Sequence, residues 1–224
     1  MPNHLAAGDS KSVDDFLKAI WVLQQSGERV STNALAERLG VKAPSVTDMA
    51  RRMVDAGLVD YVRYKGVMLT PAGEEIALKI IRRHRLLELY LVEELGYNLH
   101  EVHEEADNLE HAVSDRFIAA IAAKLNHPTL DPHGDPIPDN DGTIAARELV
   151  PLTELPLGVS ARVSRLTTSD PHMLQHILDR GLKLGQTIEV THRDPFSGPL
   201  TLNLGDEQAL LGYNVAAVIW VEQL

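Results

Sequence analysis

Apolar residues first recur at helical steps over residues 11–25 (KSVDDFLKAIWVLQQ), where Val13, Phe16, Ile20 and Leu23 share one stripe and predict an amphipathic helix. Residues 31–39 (STNALAERL) predict a second, short helix, opened by hydroxyl and amide residues suited to capping and closed by Gly40. Pro44 reopens helical structure in PSVTDMARRMVDAG, because proline fits a first turn, and Gly57 ends it. LVDYVRYKGVMLT then reads as two strands around a turn near Lys65 and Gly66. The order is helix, helix, tight turn, helix, β-hairpin.

Pro71 starts one long helix that runs to Leu95, where Gly96 breaks it. From Leu99 to about Lys124, Val102, Ala106, Leu109, Val113, Phe117 and Ile121 keep three- and four-residue steps, and the stretch is expected to be one further helix. Residues 126–142 hold four prolines and two glycines, the mark of a loop or linker. From about Leu155 the pattern changes to β-like alternation in SARVSRL, QTIEVTHR, LTLNL and AAVIWVEQL, with one helical insert, DPHMLQHILDRG. That outline is a small barrel of roughly 70 residues. The fold class is thus mainly α with a small β part.

The 224 residues are 44% hydrophobic and 24% charged, ordinary globular composition for one large or two to three small domains. With no cysteine, disulfides, thiolate zinc sites, iron–sulfur clusters and a cysteine nucleophile are excluded. The first residues lack the apolar core of a signal peptide, and no apolar run approaches the ~20 residues needed to cross a bilayer, so a soluble, cytoplasmic protein is expected. A net charge of −11 argues against nucleic acid as a partner for the chain taken whole. Divided after Arg85, the front carries 13 basic against 10 acidic residues and the back 8 against 22. The front suits a polyanion and the back suits cations.

The helix that begins Ala-Pro-Ser-Val-Thr, after a tight turn, suits a recognition helix in a DNA major groove. Lys42, Pro44, Ser45, Thr47, Asp48 and Arg51 would then face bases or phosphates, while Val46, Met49 and Met53 pack inward. The hairpin that follows carries Arg63, Tyr64 and Lys65 and would lie as a wing along phosphates. The same pattern also suits a three-helix packing unit with no DNA role.

A more specific signal follows. His84 and Glu88 are an i, i+4 pair on one helix face. His103, Asp107, Glu110 and His111 follow at steps of four, three and one, and on a second helix they too share a face. A lone histidine on such a helix is more often structural, but this many nitrogen and oxygen donors at facing spacings point to a divalent first-row metal. Glu104, Glu105, His100, His127 and His133 are expected to be solvated.

RRHRLLELYL followed by EVHEEADNLEHAVSD resembles the diphtheria toxin repressor family of metal-dependent transcriptional regulators, which has iron-dependent and manganese-dependent members. DDFLKAIW, APSVTDMARRM and YKGVMLTPAG are similar to that family's first helix, recognition helix and wing. The resemblance covers essentially the whole chain, including a C-terminal SH3-like (FeoA-type) domain that only some members carry. It implies a winged helix–turn–helix DNA-binding domain over 1–74, a helical metal-binding and dimerisation domain over 75–147, and the SH3-like β-barrel over 148–224. It further implies a homodimer on double-stranded operator DNA with a divalent metal as co-effector.

Carried over by position, the primary regulatory site would use Asp15 with Asp107, Glu110 and His111. The ancillary site would use His84, Glu88 and His103, joined from the C-terminal domain by Asp170. Met173 stands where iron-type members supply glutamine, and His172 is the substitute, with a capping or surface role as its alternative. Iron-type members place methionine and cysteine where this chain has Asp15 and Asp107, and two carboxylates harden the site toward Mn2+ over Fe2+. Manganese-type members carry acids at both positions, but their second acid one turn along the first helix is Lys18 here. That departure favours the histidine-rich ancillary site over a closely spaced metal pair. The function this implies is a manganese-responsive repressor of metal-uptake genes, with an iron(II)-dependent regulator as the alternative. A two-metal hydrolase or a metal store would leave the basic helix–turn–helix unit without a purpose.

Overall fold

The computed structural model describes residues 7–24 and 27–224, and the chain divides into two compact units, 1–83 with 138–143 and 84–137 with 144–224. In the first unit, α1 (Ala7–Leu23), α2 (Thr32–Leu39) and α3 (Ala43–Asp55) precede a hairpin of β1 (Val59–Val62) and β2 (Gly66–Leu69). Ser31 caps α2 by accepting the Ala34 N–H at 3.1 Å, and Pro44 sits in the first turn of α3. Val13, Phe16 and Ile20 of α1 pack with Leu35, Val46, Ala50, Met53, Val59 and Val67 in one apolar core. The hairpin is held at its base. Val30 and Val67 exchange two backbone hydrogen bonds of 2.8 Å, and a Cβ on Gly66 would lie 2.3 Å from the Val30 carbonyl oxygen, so only glycine fits there. Arg29 pairs with Asp60 beside it.

The helix α4 spans Pro71–Leu95, with the predicted ends. The expected helix from Leu99 to Lys124 is instead two, α5 (Val102–Leu109) and α6 (Asp115–Lys124). Ser114 causes the break: its hydroxyl accepts the Phe117 N–H at 3.2 Å and starts a new helix although the apolar spacing runs on. Leu86, Leu87, Leu89 and Leu91 of α4 pack on Val102, Ala106, Ile118 and Ile121. Leu87 and Leu91 are therefore spent within this unit.

Also in the second unit, β3 (Val150–Pro151), β4 (Ser160–Leu166), β5 (Thr187–Arg193), β6 (Leu200–Leu204), β7 (Glu207–Leu211) and β8 (Ile219–Gln223) form one antiparallel sheet ordered β3-β8-β4-β5-β6-β7. The sheet is open where a closed barrel was expected, with β3 and β7 at its edges. The insert is α7 (Pro171–Leu178), and a short α8 (Tyr213–Ala216) precedes β8. Their apolar faces share a core that includes Val163, Leu174, Ile177, Val190, Leu202 and Val221. The proline-rich segment docks on β4 of the same unit: Leu166 N–H donates to the His133 carbonyl at 2.9 Å, and Arg147 donates to both the Gly134 and Ser164 carbonyls. No helix among the described residues is long and apolar enough to cross a membrane.

Candidate metal centre and DNA-reading surface

One turn of α4 separates His84 from Glu88, so both enter the second unit's interior from one helix face, where α5 supplies His103 and Asp107 and the turn after it Glu110. His84 is the hub. Its Nδ1 lies 2.7 Å from Glu110 Oε2 and 3.2 Å from Asp107 Oδ1. Its Nε2 lies 2.9 Å from Glu88 Oε1 and 3.0 Å from His103 Nδ1, and that last nitrogen is 3.0 Å from the same Glu88 oxygen. His84 Nε2, His103 Nδ1 and Glu88 Oε1 thus form a nearly equilateral triangle. Ligand atoms at right angles around one ion with bonds of ~2.1 Å are themselves ~3 Å apart, so this donor set fits a single first-row cation.

The inner wall is dry and the mouth is wet. Side-chain exposure is 7% for His84, 3% for Glu88 and 0% for Glu110, against 42% for His103 and 47% for Asp107. Burial opposes protonation of His84, but the Glu88 charge and the hydrogen bonds to Asp107, Glu110 and Glu88 hold its pKa well above the ordinary imidazole value. Burial would raise the Glu88 carboxyl, yet the charge of His84 and the hydrogen bonds from His103 and His84 hold it well below the usual carboxylate range. Both ring nitrogens of His84 face carboxylates, which favours its protonated form in the metal-free protein, so binding a metal through either nitrogen would displace a proton.

His84, His103 and Asp107 each offer a ligand atom within 4.8 Å of the others, so Asp107, expected beside Glu110 and His111, also stands with the ancillary set. His111 Nε2 is 3.3 Å from Glu110 Oε1. Asp15 is half-buried on α1 in the first unit. Asp170 and His172 are both exposed, and neither is grouped with His84, His103 and Asp107. The Asp170 carboxylate caps α7, accepting the N–H groups of His172 at 2.8 Å and Met173 at 3.2 Å.

His133, expected to be solvated, is buried instead, because Gly134 and the Asp131 carboxylate fold the loop inward. Its Nε2 lies 3.9 Å from Glu88 Oε1, and its Nδ1 is buried without a hydrogen-bond partner among the described residues. Burial keeps its pKa down despite Glu88 and Asp135. Burial, with Asp135 and Glu88 close by, pushes the Asp131 carboxyl up to about 8 against the pull of Arg85 and the Asp135 amide. The only sequence signal for these two groups was their place between prolines, which also suits a solvated linker.

In the first unit the faces of α3 are cleanly divided. Val46, Ala50 and Met53 are buried, whereas Lys42, Pro44, Ser45, Asp48 and Arg51 are exposed. Thr47 is half-buried and its hydroxyl donates to the Ala43 carbonyl at 3.1 Å, while Asp48 and Arg51 form an exposed pair at 3.6 Å. Arg63 and Lys65 are exposed at the tip of the hairpin.

Three family descriptions match the chain in succession: an iron-dependent repressor N-terminal DNA-binding domain over residues 10–67, an iron-dependent repressor metal-binding and dimerisation domain over 70–139, and a FeoA domain over 150–223. Similar proteins cover nearly its whole length. The iron-dependent repressor IdeR of Mycobacterium leprae (strain TN) is 31% identical over 221 residues, 93% of this chain and 96% of its own. The chain belongs to the iron-dependent repressor family, that of the diphtheria toxin repressor. The diphtheria toxin repressor of Corynebacterium diphtheriae is 26% identical over 219 residues, 93% of this chain and 96% of its own. A solved manganese-dependent transcriptional repressor in complex with manganese is 42% identical, has a TM-score of 0.89, and is matched over 95% of this chain and 100% of its own. The family is one of metal-dependent transcriptional regulators, and its metal-binding and dimerisation segment spans His84, Glu88, His103, Asp107, Glu110, His111, Asp131 and His133.

Proposed function

We propose that this chain is a manganese(II)-responsive regulator that binds double-stranded operator DNA as a homodimer and represses metal-uptake genes. The observation that carries the reading is the triangle of His84 Nε2, His103 Nδ1 and Glu88 Oε1, with edges of 2.9–3.0 Å in a largely buried setting. Three donors held that close, two of them nitrogens, suit one shared cation. Relatives named as repressors support a regulator rather than an enzyme.

In this reading residues 1–74 bind DNA, 75–147 bind metal and pair the subunits, and 148–224 form the SH3-like domain. Asp15, Asp107, Glu110 and His111 make the primary ligand set, and His84, Glu88 and His103 the ancillary one. Asp170, whose Oδ1 caps α7, and His172 would join the second set from the C-terminal domain. A divalent cation, when bound, supplies the positive charge that lets these carboxylates approach. Asp15, on the helix that leads into the DNA-reading unit, then ties ligand binding to the spacing of two recognition helices, which must match half-sites a whole helical turn apart. The carboxylates of Asp15 and Asp107 are hard donors, which favours manganese over iron.

The test is fluorescence anisotropy of a labelled fragment of the protein's own upstream DNA, titrated at fixed salt in chelator, in manganese(II) and in anaerobic iron(II). Sequence-specific binding that needs manganese is expected. Stronger activation by iron(II) at equal free concentration would transfer the assignment to iron, and equal binding in chelator and metal would remove the switch.

A further inference from the structure

A largely buried charge network stands beside the His84 cluster, and neither the apolar core nor the ligand set accounts for it. Arg85, next to His84 on α4, reaches into the loop 131–137: its Nε lies 3.6 Å from Asp131 Oδ2, and a terminal nitrogen lies 3.5 Å from Asp135 Oδ1. Arg165 of β4 pairs with that same Asp135 oxygen. One carboxylate oxygen thus faces guanidinium groups from two elements. Arg85 is 11% exposed and Asp135 17%, so water screens the pairing poorly. The irregularity in β4 lies beside Arg165: pairing with β8 shifts between Val163 and Arg165, and such a bulge redirects the neighbouring side chain. The Arg165 Nε is buried without a hydrogen-bond partner among the described residues, a cost that packing alone gives no reason to keep. The loop itself is preshaped. Asp131 Oδ1 accepts the His133 and Asp135 N–H groups at 2.8 and 2.9 Å, and the Asp131 N–H donates to the Asp135 carbonyl at 2.9 Å. Fixing Asp135 therefore fixes His133, two residues before it, whose Nε2 stands 3.9 Å from the Glu88 oxygen that also faces His84 and His103.

Resting on the metal-regulator reading above, we propose that Arg165 and Asp135 are positioning residues of the metal centre: their pairing, joined by Arg85, clamps the loop so that His133 closes the cluster beside Glu88. The C-terminal sheet thereby sets manganese affinity through a residue that touches no ion. This contribution is separate from any ligand that Asp170 or His172 supplies. Groups that hold a ligand in its orientation govern metal affinity by about 10- to 100-fold. Removing one member of the clamp leaves the others charged and poorly hydrated, so the loop retracts and the Glu88 carboxylate opens to water.

The experiment measures manganese(II) affinity of the full chain by electron paramagnetic resonance at fixed pH and salt. The proteins are wild type, Arg165→Gln, Arg165→Lys, Asp135→Asn, the double variant Asp135→Asn/Arg165→Gln, and Arg162→Gln, which alters an exposed arginine of the same strand. A thermal melt of each metal-free protein accompanies it. The sign of the effect is diagnostic. Removing a positive charge near a cation site tightens binding if charge alone matters, whereas loss of the clamp should weaken it about tenfold in Arg165→Gln. Arg165→Lys should recover most of the affinity, because an ammonium can also meet the one Asp135 oxygen. Asp135→Asn should weaken binding about as much as Arg165→Gln, and the double variant no more than either, because each breaks the same unit. Arg162→Gln should bind as wild type does. Wild-type or tighter affinity in Arg165→Gln would overturn the proposal even if that variant melts lower, as would an equal loss in Arg162→Gln or no recovery with lysine. Should Arg165→Gln fail to fold, wild-type affinity in Asp135→Asn would overturn it. A wild type that binds no manganese would defeat the regulator reading and the clamp with it. Wild-type binding that is indifferent to Arg165 and Asp135 defeats the clamp alone.

Discussion

Gly134 is the position where one added carbon should do most damage. Its φ is +84°, and a Cβ there would lie 2.2 Å from the Ser164 carbonyl oxygen and 3.0 Å from both the Ser164 carbonyl carbon and the Arg165 Cα. All three atoms are backbone, in a stretch of β4 already irregular, since its pairing with β8 shifts register between Val163 and Arg165. In Gly134→Ala the left-handed backbone costs about 1 kcal/mol and the forced separation about 2 kcal/mol more, for a total of about 3 kcal/mol. Gly158→Ala is the matched control: its φ is +73° and nothing lies within 4 Å of the added carbon, so only the strain of about 1 kcal/mol applies. For a chain of this size those values correspond to melting shifts of about 9 °C and about 3 °C. Thermal unfolding followed by circular dichroism reads both. Because the same loop holds His133 beside Glu88, Gly134→Ala should also weaken manganese binding while Gly158→Ala leaves it alone. Equal melting shifts for the two variants would refute the close docking of this loop on β4.

Further expectations are simpler. Asp15→Ala should abolish metal-activated operator binding while leaving the melting temperature of the metal-free protein within a few degrees; an unchanged metal response would exclude Asp15 from the ligand set. The His84 pKa is raised in the folded chain, so its paired imidazolium stabilises metal-free protein fully below the unfolded value near 6.5, and that stability is lost as pH rises through the folded value. Metal-free protein should therefore melt higher at pH 6 than at pH 9, and manganese affinity should move the opposite way, with proton release measurable by calorimetry in buffers of different ionisation enthalpy. A pH-independent affinity would contradict the hub role of His84. Ser31→Ala removes the cap of α2 and should cost about 1 kcal/mol in chemical denaturation without changing metal affinity.

Local signals made much of this architecture legible. Pro71 and Gly96 bracket α4 correctly, Ser31 and Gly40 do the same for α2, and the i, i+4 spacing of His84 and Glu88 places both at one cluster. What stayed hidden depends on tertiary partners or on competition between signals. The apolar steps through Val113, Phe117 and Ile121 predict one helix, yet a single hydroxyl at Ser114 outweighs them and lets Glu110 and His111 sit in a turn. Leu87 and Leu91 are buried because the bend that separates α5 from α6 folds both helices onto them, which the apolar spacing does not encode. Strand β7 (EQALL) has only weak alternation, and its position rests on pairing with β6. His133 is buried by a loop whose inward fold depends on backbone groups of β4, which no spacing rule encodes.

The most direct test of the account is reciprocity between its two ligands. Manganese(II) affinity should be measured by electron paramagnetic resonance with and without saturating operator DNA, and DNA affinity by anisotropy with and without saturating manganese. If metal binding and the DNA-reading unit are coupled through Asp15 as proposed, the two factors must be equal, because a coupling free energy is shared by both ligands. The account predicts that operator DNA tightens manganese binding by the same factor, at least about fivefold, by which manganese tightens DNA. Manganese affinity indifferent to operator DNA would contradict it.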